Sequence, residues 1–328
     1  MKKIICLGIE STAHTFGIGI VDSKCNVLAN EKDMYTSEKG GIHPSEAAKH
    51  HADVKKTVLQ NALNKAGVSL NGVDLISIAQ GPGLPPCLLA GMNFAKEIAR
   101  ANNLPLLGVN HCIAHIEIGK KLTKARDPLT VYASGANTQI IGFENGRYRV
   151  YGETLDVGIG NALDMFARYL GIGFPGGPVI DEMYFKAGKL IELPYTVKGM
   201  DLTFSGLLTA AKQKIGKVNE NDLAYSFMHN AFAMLSEVAE RALAHTEKKE
   251  LMLTGGVAAS RALNEMMEKM CLQRHARKVV PPKSLCLDQG AMIAWQGILE
   301  FNAGKKQELN EIDIKPLQRT DQVEVNWL

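Results

Sequence analysis

Apolar positions along the 328-residue chain repeat every second residue in some stretches and at helical spacing in others, and the two patterns take turns. Three strand-like runs come first, at 3–10 (KIICLGIE), 16–22 (FGIGIVD) and 26–34 (NVLANEKDM), separated by polar turns. Residues 44–67 then read as a helix: a proline opens the stretch, Ala47, Val54, Val58 and Leu59 share a face, and a glycine closes it. A strand at 73–80, a helix at 87–103, a strand at 104–110 and a helix at 111–122 follow in alternation. Such alternation gives parallel strands joined by crossover helices.

After the charged, proline-containing break TKARDP (123–128) the order begins again. Strands are expected at 129–135, 138–146 and 148–156 and a helix at 159–171; a glycine- and proline-rich insertion follows. The alternation resumes with a long helix at 220–248, a strand at 250–255, a helix at 259–273, a strand at 277–282 and a helix at 287–301. The plan β-β-β-α-β-α-β-α therefore occurs twice, which predicts an α/β fold of two similar lobes with a ligand cleft at the strand ends between them. The expected boundaries are 1–126 for the first lobe and 127–302 for the second, with a helical insertion at about 160–215. The segment 303–328 has weak periodicity and is expected to pack back on the first lobe. Actin-like, chaperone and sugar-kinase ATPases share this organisation, a fold-level analogy that leaves the chemistry open.

Composition narrows the class. At 46% hydrophobic the chain is too apolar for disorder, and its length suits two domains. Behind Lys2 and Lys3, Glu10 interrupts the first apolar run before it reaches the length of a signal-peptide core or a membrane span. No membrane association is therefore expected. Six scattered cysteines without a C-x-x-C pair suit reduced thiols and a cytoplasmic protein. A net charge of +3 is compatible with a nucleic-acid partner without implying one.

His111 and His115 in VNHCIAHIEIGK stand at i and i+4, so on a helix they share a face and could share an ion. An isolated pair fits a hydrogen-bonded, metal-free arrangement as well, so further ligands are needed. Cys112 occupies the place of the glutamate in H-E-x-x-H, which removes the general base of a metalloprotease. Glycine-rich turns at 8–17, 132–139, 174–181 and 253–261 allow close backbone approach, and amides at helix starts favour anions. Together they suggest a nucleotide, although no P-loop is present and each turn alone could be structural. Asp288 precedes a small-residue helix start and on its own reads as an N-cap.

GIESTAHTFGIGIVD, QGPG, GVNHCIAHIEIG, VYASGANTQ, GETLD, FARYLG, FPGGP, LPYTVKGMDLTFSGLLTAA, ERALAHT, GGVAAS and CLDQGAMIAW recur in order from Gly8 to about Trp295. In these motifs the chain resembles the universal tRNA threonylcarbamoyltransferase family, in its archaeal and eukaryotic branch, formerly called O-sialoglycoprotein endopeptidase. The resemblance implies a duplicated actin-like ATPase (ASKHA, RNase H-like) fold. It also implies an acyltransferase that moves threonylcarbamoyl from threonylcarbamoyl-AMP to N6 of the adenosine 3′ of the anticodon, in tRNAs reading ANN codons. By motif correspondence His111, His115, Tyr132 and Asp288 are the expected ligands of one divalent ion, iron or zinc. Tyr132, Ala133, Ser134, Gly135 and Ala136 are expected to line the substrate loop. Asp164, Gly177, Asp181 and Ser260 are expected around the nucleotide, which is the donor, AMP, or ATP with or without Mg. Glu10 is the expected polar catalytic residue, the alternative being that it orders the STAHT turn.

The chain departs from the family pattern at Ala136 and Ser260, where glycine and asparagine are usual, and at PPCLLAG after GPGL. If position 136 needs a glycine-only backbone angle, alanine there is strained. Basic clusters at 120–126, 212–217, 274–278 and 304–306 are candidates for a tRNA grip. The resemblance further implies the KEOPS complex, with a kinase-like ATPase not fused to this chain, and a separate threonylcarbamoyl-AMP synthase. Apolar stretches at 160–190 and 205–245 could dock that ATPase or form core. Alternative functions are an ATP-binding or ATP-hydrolysing actin-fold scaffold and, less favoured by the residues, a metalloprotease.

Overall fold

The computed structural model describes residues 4–37 and 42–328; Lys2 and Lys3, the latter at the head of the first expected strand, lie outside them. The chain divides into two compact units, the first from Met1–Thr36, Ile42–Lys121 and Leu287–Leu328, the second from Ser37–Gly41 and Leu122–Cys286.

In the first unit β1 (Ile5–Glu10), β2 (Thr15–Asp22) and β3 (Val27–Met34) are followed by α1 (Pro44–Ala66), β4 (Leu75–Gly81), α2 (Pro85–Asn102), β5 (Leu106–Asn110) and α3 (His111–Thr123), whose last two residues pass into the second unit. The sheet order is β3-β2-β1-β4-β5, antiparallel among the first three strands and parallel from β1 through β4 to β5. Its central strands are buried on both faces because helices cover both, as their near-continuous apolar runs require. Helix α1 starts on a proline at its first turn and stops at Gly67, whose φ of 64° is the left-handed cap a glycine supplies.

The second unit repeats the plan. It comprises β6 (Leu129–Ala133), β7 (Thr138–Glu144), β8 (Arg147–Glu153), α4 (Ile159–Tyr169), α5 (Gly177–Tyr184), β9 (Val197–Lys198), β10 (Asp201–Leu202), α6 (Ser205–Lys214), α7 (Glu220–Thr246), β11 (Glu250–Thr254), α8 (Arg261–Gln273), β12 (Arg277–Val279) and α9 (Lys283–Cys286). Read from the other end its main sheet runs β8-β7-β6-β11-β12, the same topology as the first. The small β9–β10 hairpin lies in the insertion, where the sequence had pointed only to helix. The apolar residues of 205–245 form core: Leu207, Leu208, Phe227, Phe232 and Leu235 pack with Phe166 and Phe204 in one buried cluster.

Two expected boundaries differ: the first crossing falls at Lys121 rather than 126, and the second unit ends at Cys286 rather than 302. The helix assigned to the end of the second lobe, here α10 (Gly290–Asn302), belongs to the first unit and lies on β1, β2 and β4. Small residues decide this. A Cβ on Gly19 would stand 2.0 Å from the Ala291 amide nitrogen, and one on Gly8 would stand 2.2 Å from that of Ala294. Only glycines on β1 and β2 let the helix backbone come so near. Beyond α10 the chain runs without regular secondary structure, apart from a short 3-10 turn at Thr320–Gln322, and Ile312 is buried in the first unit's core.

Among the described residues no helix is long and apolar enough to cross a membrane. All six cysteines are buried, and none takes part in a disulfide.

Candidate active site

Helix α3 begins directly where β5 ends, so His111 sits at the strand-to-helix junction and His115 one turn on. The side chain of Asn110, the last strand residue, accepts from the Ile113 amide at 3.1 Å and so performs the work of an N-cap. Asp288 approaches from the other side of the same unit. Its Oδ1 lies 3.1 Å from His115 Nε2 and 3.4 Å from His111 Nε2. The helix cap after it is Gln289, whose side chain accepts from the Met292 amide at 3.1 Å, so the N-cap role read for Asp288 falls to its neighbour. Asp288 is thereby left to face the histidines.

Glu10 ends β1 and is wholly buried. Its Oε1 accepts from the Thr12 amide at 2.8 Å and the Thr12 hydroxyl at 2.5 Å, and its Oε2 lies 2.8 Å from His111 Nδ1. Glu10 thus orders the STAHT turn, the second of its two expected roles, and the same side chain also holds a histidine. A carboxylate only accepts, so Nδ1 of His111 carries a proton, and an ion between His111 and Asp288 would take the place of a proton on Nε2. Burial alone would depress the His111 imidazole, but Glu10 and Asp288 outweigh it and hold His111 well above the usual histidine value. At His115 burial prevails and keeps the group below that value. Burial would raise Asp288, yet the two imidazoles hold it well below the usual carboxylate range.

Two imidazole nitrogens and a carboxylate oxygen lie within 4.8 Å of one another in His111, His115 and Asp288, a set that fits a divalent ion. The fit extends outward, since metal-bound histidines regularly donate their second ring nitrogen to a carboxylate, as His111 does to Glu10. Lys32 on β3 donates to the Asp288 backbone carbonyl at 3.3 Å.

The remaining expected residues belong to the second unit. Tyr132 and Ala133 end β6 and are buried. Ser134, Gly135 and Ala136 form the turn into β7, and the first amides of α4 bond back to it: Gly160 to Ser134 O at 3.0 Å and Asn161 to Gly135 O at 2.9 Å. Ala136 has no positive φ, so alanine stands there unstrained, contrary to the concern raised by the motif. Asp164 on α4 accepts from the Gly176 amide at 2.8 Å and the Gly177 amide at 3.3 Å. Gly177 has open space where a side chain would go. One turn along α5, Asp181 accepts from the Ser260 hydroxyl at 2.5 Å and the Arg261 amide at 3.3 Å. Ser260 also caps α8, accepting from the Leu263 amide at 3.2 Å. Asp164, Gly177, Asp181 and Ser260 are thus joined through α5.

Of the basic clusters, 274–278 is largely spent on its own acids: Arg274 pairs with Glu240, Arg277 with Glu250 and Lys278 with Glu268. Lys120 pairs with Glu117 and Lys305 with Glu300. In the 212–217 cluster Lys212 lies 4.5 Å over the Tyr169 ring. Thr12 and Asn110 were not singled out from the sequence. Asn110 was findable, since an asparagine immediately before a helix is a standard cap signal.

Comparison with known proteins follows the motifs. A family model described as TsaD, tRNA N6-adenosine threonylcarbamoyltransferase, matches residues 25–295. The Thermococcus kodakarensis protein of that name is 55% identical over 99% of this chain and 100% of its own length, and the Thermococcus sibiricus one is 53% identical with the same coverage. A probable bifunctional tRNA threonylcarbamoyladenosine biosynthesis protein of Methanothermobacter thermautotrophicus is 50% identical over 99% of this chain and 61% of its own length. Among solved structures, HypF of T. kodakarensis superposes with a TM-score of 0.64 at 14% identity, over 92% of this chain and 48% of that one. Component A of the Acidaminococcus fermentans (R)-2-hydroxyglutaryl-CoA dehydratase gives 0.60 at 14% identity, over 92% and 100%. At that identity these structures speak for the fold alone, which is the actin-like ATPase fold.

Proposed function

The chain belongs to the tRNA N6-adenosine threonylcarbamoyltransferase family and is an acyl-transferring, tRNA-modifying enzyme, and from that premise we propose the donor, the acceptor and the residues that act. The donor is threonylcarbamoyl-AMP and the acceptor is N6 of the adenosine 3′ of the anticodon, in tRNAs reading ANN codons. The N6–carbon bond forms, the carbon–oxygen bond to the phosphate breaks, N6 loses a proton and AMP departs. The observation that carries this reading is the convergence of His111, His115 and Asp288, backed by Glu10.

His111, His115 and Asp288 would hold one divalent ion, and nitrogen and oxygen donors suit iron or zinc. Such an ion supplies Lewis-acid polarisation of the carbonyl that the weakly nucleophilic adenine amine attacks. Glu10 acts as a positioning residue: it keeps the proton on Nδ1 of His111 and so leaves Nε2 free to bind. In the second unit the turn at 134–136, together with Asp164, Gly177, Asp181 and Ser260, holds the nucleotide portion of the donor, or ATP with or without Mg. Asp164 and Asp181, which accept from the amides of Gly177 and Arg261, would accept from the ribose hydroxyls as well, and the open space at Gly177 would let the nucleotide come close to the backbone.

The enzyme works in the cytoplasm, in keeping with six cysteines that form no disulfide. Its partners are tRNA, a separate synthase that makes the donor, and KEOPS subunits including a kinase-like ATPase. The test is transfer of labelled threonylcarbamoyl from its AMP ester to tRNA by the purified chain with those subunits supplied. Label at the anticodon-loop adenosine supports the reading. ATP hydrolysis without tRNA labelling would favour a scaffold or ATPase instead.

A further inference from the structure

The segment after α10 has, one 3-10 turn apart, no regular secondary structure to hold it, yet its hydrogen bonds concentrate on one place. Strand β5 is the open edge of its sheet, and Gly108 on it has both backbone groups taken by this segment: Gln307 Oε1 accepts its amide at 2.9 Å and Lys305 Nζ donates to its carbonyl at 2.8 Å. Two residues on, Asn110 Nδ2 donates to Gln318 Oε1 at 3.3 Å, and Gln80 Nε2 donates to the same oxygen at 3.2 Å. Asn110 is the residue whose other side-chain atom caps α3. Farther along that helix, Glu117 is buried and accepts from the Trp327 indole at 3.0 Å. The segment therefore holds the strand leading to His111, the cap of the helix that bears His111 and His115, and a residue just beyond His115.

A second route reaches the site from the same segment. The Lys315 amide donates to Gln80 O at 2.6 Å, and the Gly83 amide donates to Pro316 O at 3.1 Å. A Cβ on Gly81 would meet the Lys315 carbonyl oxygen at 1.9 Å, so the QGPG loop is shaped to the strap. That loop in turn lies on Thr12, whose carbonyl accepts from the Leu84 amide at 2.8 Å. Thr12 holds Glu10, and Glu10 holds His111.

We propose that residues 305–327 form a positioning strap, in which Gln318 and Trp327 hold α3 and thereby set the two histidines for their ion. The inference rests on the metal reading above but concerns residues outside the ligand set. A strap that served only to cover apolar surface would act through Ile312, which is buried, and through Leu309 and Ile314 packed on the same core, and would not need polar atoms aimed at Asn110 and Glu117. Sharing one oxygen between Gln80 and Asn110 makes Gln318 hard to replace, because losing it leaves two buried amides without that acceptor.

The test uses the full chain in four variants: Gln318→Leu, Trp327→Phe, Ile312→Val as a packing control and Leu317→Ser as a control at a site 90% exposed. Three quantities are read: Zn(II) affinity by chelator competition, amide exchange over α3 in the metal-free protein, and the thermal midpoint. Gln318→Leu and Trp327→Phe are expected to weaken Zn(II) binding about tenfold, the lower range for groups that orient ligands, and to speed exchange at Ile113 and its neighbours. Ile312→Val should lower the midpoint without either change, and Leu317→Ser should do nothing. If the first two variants alter only the midpoint, as Ile312→Val does, or alter nothing, the strap is structural and the proposal is wrong. Wild-type protein that bound no Zn(II) would overturn the metal reading instead, and exchange over α3 would still decide the strap.

Discussion

Replacing Glu10 by glutamine changes one atom and reverses the logic of the site. Three donors converge on the native carboxylate, namely the Thr12 amide at 2.8 Å, the Thr12 hydroxyl at 2.5 Å and His111 Nδ1 at 2.8 Å. Glutamine has one accepting oxygen. If that oxygen stays with the two Thr12 donors, the amide NH2 faces His111 Nδ1, which must then accept. The imidazole proton moves to Nε2, the nitrogen 3.4 Å from Asp288 and the one needed for an ion. If the oxygen turns to His111 instead, the buried Thr12 donors lose a charged partner, worth about 1.5–3 kcal/mol. Loss of such a partner behind a ligand typically weakens metal affinity about 10- to 100-fold, equivalent to roughly 1.4–2.7 kcal/mol. The assay is Zn(II) competition with a chelator, run beside urea unfolding of the metal-free protein. Unchanged affinity in a folded Glu10→Gln variant would refute the positioning argument. Unchanged affinity with lost transfer would move Glu10 to the substrate, as a group acting directly in the chemistry.

Three further outcomes follow from the geometry. His51 is wholly buried in the first unit, beside the Ala13 carbonyl at 3.0 Å, and burial pushes it down to about 4, so the folded state favours the neutral ring. Its contribution is complete above the ordinary value of 6.5 and is lost as pH falls from there through 4, up to about 3 kcal/mol. Urea stability measured from pH 7 to pH 4 should fall less in His51→Phe than in wild type, and parallel curves would contradict this. Gly19→Ala, with its new Cβ 2.0 Å from the Ala291 amide nitrogen, should force α10 off the sheet and cost about 3 kcal/mol or more in thermal or urea unfolding; a wild-type midpoint would show that the helix can shift freely. Ser260→Ala removes the cap of α8 and the bond to Asp181, so unfolding free energy should drop by about 1–2 kcal/mol and AMP binding, followed by calorimetry, should weaken; unaltered binding would take Ser260 out of the nucleotide site.

Much of the fold could be read along the chain, because strand and helix periods alternate cleanly and the plan repeats. The placement of α10 could not, since its apolar residues show that it is buried but not which sheet buries it. The information lay in pairs of small residues far apart, Gly8 and Gly19 against Ala294 and Ala291, which periodicity does not register. The site was legible in part for a similar reason. Two histidines at i and i+4 on a helix declare a shared face. Glu10 meets His111 only through the sheet, 101 residues away in sequence, and its one local sign was an acid interrupting an apolar strand. Gln318 and Trp327 left no pattern at all, because the strap bonds through side chains and carbonyls rather than through a repeating face.

The most direct test of the central claim is transfer of labelled threonylcarbamoyl from its AMP ester to tRNA by wild type, His111→Ala and Asp288→Ala, with the KEOPS subunits supplied and folding checked in each. The account predicts label on the anticodon-loop adenosine with wild type and its loss in both folded variants, together with loss of bound metal. Full transfer by either variant would contradict it.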